Sequence, residues 1–228
     1  LDLLAVRAKW AHEGRKVPES GALIAVANHP FGVVDQLVVL GQILPQRPDA
    51  KLLLAPDQRT FDPLAPCVVR SEADAQAHLE QGGCLILFPA GNISRLSRDL
   101  KTVVDGRWSN ALASLQANTG AAVLPLYIDG QSVDLMRLFE AVHPGLKRLP
   151  VIHKPLRKRR LKHGQRIIRV SMGTPLKPGN VAEFEHPSQI TRFYRAKTYA
   201  LASSVRVQRA WFVQSRRRAP QVAPLVAA

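Results

Sequence analysis

Gly21-Ala-Leu-Ile-Ala-Val-Ala27-Asn28-His29-Pro30-Phe31-Gly32-Val33-Val34-Asp35 is the stretch on which the fold turns. Residues 21–27 form a strand-length apolar run that ends at a polar Asn-His-Pro turn, the pattern of a buried strand entering a loop. From residue 35 to 44, Leu37, Val38, Leu40, Gln42 and Leu44 precede Pro45, the pattern of a helix ended by proline. Working outward, apolar runs recur at 51–55, 67–69, 84–88 and 121–128, each bounded by turn residues, and these read as further buried strands. Between them, residues 72–81 and 110–119 have helical spacing, with Gly82-Gly83 and Gly120 where helix stops belong. Strand and helix alternate, which predicts an α/β fold: a mixed, largely parallel sheet flanked by helices, with ligands at the carboxyl ends of the strands. Residues 167–171 read as a late strand, 190–213 as a long basic amphipathic helix, and 216–228 as a frayed tail. The division expected is one domain over residues 1–180, with a basic helix and tail, 181–228, packed on it or extending from it.

A chain of 228 residues supplies one substantial core, and 46% hydrophobic with 21% charged residues excludes a largely disordered polymer. No run reaches the roughly 18 apolar residues of a membrane-spanning helix. Cys67 and Cys84 allow at most one disulfide, which a chain this apolar does not need, so a reducing compartment is expected. The chain opens on Leu1 without the succession of a signal peptide, and the natural start is expected upstream.

Charge is unevenly placed. Residues 1–146 carry 13 Lys+Arg against 15 Asp+Glu, whereas residues 147–228 carry 19 against 2, so the formal excess of +15 comes entirely from the last third. That asymmetry points to an acidic partner: anionic lipid, an acidic carrier protein or nucleic acid. The densest cluster, residues 154–162, has no aromatic residue for base stacking, which disfavours nucleic acid and favours an anionic membrane surface. A solvated basic face is the plainer alternative. His143, His153 and His163 stand ten residues apart with no neighbouring Cys or paired carboxylates, so no metal is expected.

Two loops after apolar strands carry chemistry. In the first, a fold-back lets the Asp35 carboxylate hold one imidazole nitrogen of His29 and leave the other facing a cleft as a base. The competing reading is a polar turn with Asp35 as a helix N-cap. In the second, Phe88-Pro89-Ala90-Gly91-Asn92-Ile93-Ser94-Arg95, Gly91 permits close backbone approach while Asn92, Ser94 and Arg95 supply donors for an anion or oxyanion. Arg70 closes the strand at 67–69 and reaches the same sheet edge if the strands are parallel.

In this order, the His/Asp loop, Arg70, the Phe88 to Arg95 loop and Val123-Leu124-Pro125-Leu126 resemble the four blocks of the glycerolipid acyltransferase superfamily, which includes the lysophosphatidic acid acyltransferases. The resemblance spans about residues 20–180. Five residues, Pro30 to Val34, separate His29 from Asp35, one more than in the main family; with Asn-His-Pro-Phe-Gly, this resembles a hemolysin-like bacterial branch related to ornithine-lipid acyltransferases. Ala90 replaces the third block's glutamate, and Asn92 stands where the branch has a later one.

The resemblance implies an acyltransferase. His29 would take the proton of a lysolipid-type hydroxyl as it attacks an acyl thioester, acyl-CoA or acyl carrier protein, and Asp35 would stabilise the imidazolium. Arg70 would hold the acceptor's anionic group, with Gly91, Asn92, Ser94 and Arg95 around the acceptor or oxyanion. No cofactor is implied, and the expected location is peripheral, on the cytoplasmic side of the bacterial inner membrane. The alternative is a catalytically idle relative that binds lipid or an acyl carrier, the reading that the missing third-block carboxylate supports.

Overall fold

The computed structural model describes residues 6–11, 16–56, 62–97, 102–130 and 166–203. A seven-stranded sheet runs in the order β1 (Val6–Ala11), β9 (Arg166–Met172), β8 (Ala122–Ile128), β2 (Leu23–Ala27), β5 (Cys84–Leu87), β3 (Lys51–Leu53) and β4 (Val68–Val69). Every neighbouring pair is parallel except β8 and β9, so the sheet is mixed and largely parallel, as the alternation of elements predicts. Among the described residues the α-helices are α1 (Val33–Ile43), α2 (Glu72–Glu80), α3 (Ala111–Thr119) and α4 (Pro187–Ala200).

The two-residue period of the strands explains why both sheet faces are covered. In β2, Leu23, Ala25 and Ala27 join a core with Val38, Val39 and Ile43 of α1, while Ile24 and Val26 join the opposite core with Leu79 of α2, Leu112 and Leu115 of α3 and Tyr194 of α4. All five residues of β2 are buried, which is why this strand reads as an unbroken apolar run. At roughly 25 cal/mol per Å² of apolar surface removed from water, these two cores are the main stabilising term.

Three strands lie outside the sequence reading. β1 alternates apolar and polar residues, Val-Arg-Ala-Lys-Trp-Ala, because it is an edge strand with one neighbour, β9. β6 (Arg95–Ser97) and β7 (Thr102–Val104) make a small antiparallel pair apart from the main sheet. α4 starts at Pro187 rather than residue 190 and is followed to Ala200; residues 204–228, the cluster 154–162 and the three spaced histidines lie outside the described residues. α4 packs through Tyr194 on the same core as α2 and α3. Among the described residues, no helix is long and apolar enough to cross a membrane.

Candidate active site

Because β2 and β5 are parallel neighbours, with Val26 opposite Leu87, the loops that leave them emerge at one edge of the sheet. Asn28 anchors the first loop: its side-chain amide donates to the Ile128 carbonyl at 2.8 Å and its Oδ1 accepts from the Ile128 amide at 2.7 Å. The two loops are joined by the Ser94 amide, which donates to the His29 carbonyl at 2.9 Å. Gly32 makes the turn into α1 with φ 65°, a left-handed value that L side chains resist, and a Cβ there would meet Ile93 Cδ1 at 3.1 Å.

That turn folds Asp35 back onto His29. His29 Nδ1 lies 3.1 Å from Asp35 Oδ2, with the ring N–H off the line between them, and both side chains are almost wholly buried. Asp35 is not an N-cap: Gly32 holds that position, and Asp35 Oδ2 accepts the Phe31 amide proton at 2.7 Å from inside the first turn. Burial pushes the Asp35 carboxyl up from its ordinary value, outweighing the lowering influence of His29 and of the Phe31 amide. Its Oδ1 has no hydrogen-bond partner. With Nδ1 turned to Asp35, Nε2 is the nitrogen left for a substrate. Phe88 packs against the imidazole with ring centroids 4.5 Å apart.

His29 lines a cleft of about 600 Å³ whose other walls include Gln36, Arg70, Phe88, Gly91 and Arg107. Arg70 also donates to the Ala55 carbonyl at 3.2 Å. Gly91 is in the left-handed region at φ 65°, and its amide is committed to the Phe88 carbonyl at 3.0 Å, closing a turn. Asn92 and Arg95 are exposed and lie off the cleft walls, while Ser94 is buried with its hydroxyl donating to Asp105. The structure thus places His29, Arg70 and Gly91 on the cleft walls, Asp35 buried behind His29, and Asn92, Ser94 and Arg95 off those walls. Sequence reasoning missed Gln36, Asp105, Arg107 and Trp108. The signal for three of them was Val103-Val104-Asp105-Gly106-Arg107-Trp108, an acid that ends an apolar pair and precedes a glycine. Among the described residues, no group of His, Cys, Asp and Glu is arranged to hold a metal ion.

No family model matches the sequence, and no curated protein sequence does. Among solved structures, the chain is similar to the 1-acyl-sn-glycerophosphate (LPA) acyltransferase PlsC from Thermotoga maritima, with a TM-score of 0.52 and 16% identity over 86% of this chain and 72% of that one. The chain shares its fold with that enzyme. On this fold, the His29 loop and the cleft lie at the carboxyl ends of the parallel strands, where open α/β sheets bind their ligands.

Proposed function

We propose that the protein is an acyltransferase that moves a fatty acyl group from an acyl thioester, acyl-CoA or acyl carrier protein, to the hydroxyl of a lysolipid-type acceptor. The observation that carries this is His29 on the wall of a cleft in this fold, with Asp35 buried behind it and 3.1 Å from its Nδ1. His29 Nε2 takes the hydroxyl proton as the oxygen attacks the thioester carbonyl, and the carbonyl electrons move onto oxygen. The electrons then return, the carbon–sulfur bond breaks, and the imidazolium passes its proton to the departing thiolate. The Asp35 carboxylate stabilises the imidazolium in between. No acyl-enzyme forms. Arg70 and Arg107 place positive charge on the cleft walls, which suits an acceptor bearing phosphate or carboxylate. The basic last third of the chain holds the protein on an anionic membrane surface, at about 1 kcal/mol for each Lys or Arg near the lipid, peripherally and from the cytoplasmic side of a bacterial inner membrane.

The test is transfer of a labelled long-chain acyl group, from acyl-CoA and from acyl carrier protein, to a panel of lysolipids that includes lysophosphatidic acid and lyso-ornithine lipid. His29→Ala is expected to lose at least about 10²-fold in turnover while the protein remains folded. An unchanged rate overturns the role of His29. No transfer by the folded wild type to any acceptor overturns the enzymatic reading in favour of a lipid-binding relative.

A further inference from the structure

Asp105 stands 76 residues from His29 in sequence and is buried against it. Its Oδ1 accepts the His29 main-chain N–H at 3.1 Å and also the Ser94 hydroxyl proton. Since the Ser94 amide donates to the His29 carbonyl, His29, Ser94 and Asp105 close a ring of hydrogen bonds that holds both polar groups of the His29 main chain. Oδ2 accepts the Trp108 indole N–H at 2.8 Å. The main chain of Asp105 is gripped in turn by α4: its amide donates to the Tyr199 hydroxyl oxygen at 2.8 Å, and its carbonyl accepts from Arg195 Nη2 at 2.8 Å.

The two acids near His29 are therefore unlike. Asp35 keeps one oxygen without a partner, whereas both oxygens of Asp105 are engaged. An acid whose two oxygens accept three hydrogen bonds from protein donors is held in place; it is not a group that trades protons with a substrate.

Resting on the acyltransferase reading above, we propose that Asp105 is the positioning residue of the site. It fixes the His29 main chain from behind, ties the second loop to the same carboxylate, and connects both to α4. A misplacement of about 1 Å in such a base costs on the order of 10²-fold in rate, which gives this scaffold its catalytic weight.

The experiment compares the full-length wild type with Asp105→Asn in the single variant and in a His29→Ala background. Turnover and the acceptor KM are measured, together with hydrogen exchange of the His29 main-chain amide by NMR. Asp105→Asn is expected to lower kcat by about tenfold or more with KM within about twofold, to cost nothing further in the His29→Ala background, and to speed exchange of the His29 amide by about tenfold. A loss carried by KM, an equal loss in both backgrounds, or unchanged exchange overturns the proposal. If the wild type transfers no acyl group, the acyltransferase reading fails, and exchange of the His29 amide decides whether Asp105 holds the His29 main chain. Tyr199→Phe, which leaves the carboxylate and both loops intact, covers the case in which Asp105→Asn does not fold. It is expected to lower kcat severalfold at constant KM, and an unchanged kcat overturns the link to α4.

Discussion

Replacing Asp35 by Asn is expected to raise the melting temperature at neutral pH while it removes most of the turnover. The Asp35 side chain is fully buried, its Oδ1 has no partner, and burial raises its pKa despite the nearby His29. A carboxyl whose folded-state pKa is raised holds its proton more tightly folded than unfolded. Its contribution to stability is present below the ordinary carboxylate range and is lost as pH rises through the folded-state value. Toward pH 7.5 the wild type therefore loses stability that Asn, which does not titrate, keeps. An unsatisfied buried polar group costs about 1–3 kcal/mol, and more when charged. Asn keeps an oxygen for the Phe31 amide and leaves a neutral group where Oδ1 stood, so a gain of about 1–2 kcal/mol is expected. For a chain of this size that corresponds to roughly 2–8 °C. The assay is a thermal melt of both proteins from pH 5 to 8 alongside acyl transfer. The gap should widen with pH, and turnover should fall by at least about 10²-fold, because the imidazolium loses its counter-charge. A variant that melts lower than wild type at pH 7.5, or a gap independent of pH, would refute this account of Asp35.

Arg70→Ala is expected to raise KM for a phosphate- or carboxylate-bearing acceptor by about tenfold and to leave a neutral acceptor within about twofold; an equal loss with both removes the anion-binding role. Gly32→Ala places a side chain at φ 65° and 3.1 Å from Ile93, so a melt should show a loss of about 1–2 kcal/mol, and an unchanged melting temperature contradicts the strain. The Cys84 thiol, pushed up to about 12 by burial, should resist iodoacetamide at pH 8 in the folded protein while the half-buried Cys67 is labelled, as peptide mapping by mass spectrometry would report.

The core strands and α1 to α3 were legible because each is buried on both faces or stopped by glycine or proline, and these signals survive in a single sequence. The proximity of His29 and Asp35 was legible because one loop and the first turn of one helix make it. The internal commitments of the second loop are not legible in the sequence: Gly91 gives its amide to the Phe88 carbonyl, and Ser94 gives its hydroxyl to Asp105, a residue outside the loop. Asp105 itself was hidden because its importance comes from partners as distant in sequence as His29 and Tyr199. β1 escaped for the opposite reason, since its alternation is that of a half-exposed edge.

That edge strand also bears on the order in which the molecule assembles. β1 is the first strand of the described chain, yet its partner is β9, with Val6 opposite Arg166 and Ala11 opposite Ser171. During synthesis the segment emerges early and has nothing to pair with until the chain has grown past residue 171. The inner strands β2, β5, β3 and β8 can meet before then. Closing so long a loop is entropically slow, so the sheet completes from its centre outward and β1 meets β9 last. Until that moment Trp10 and the unpaired backbone of β1 are open to any other strand, which makes the interval before β9 arrives the one in which this protein most needs protection from aggregation.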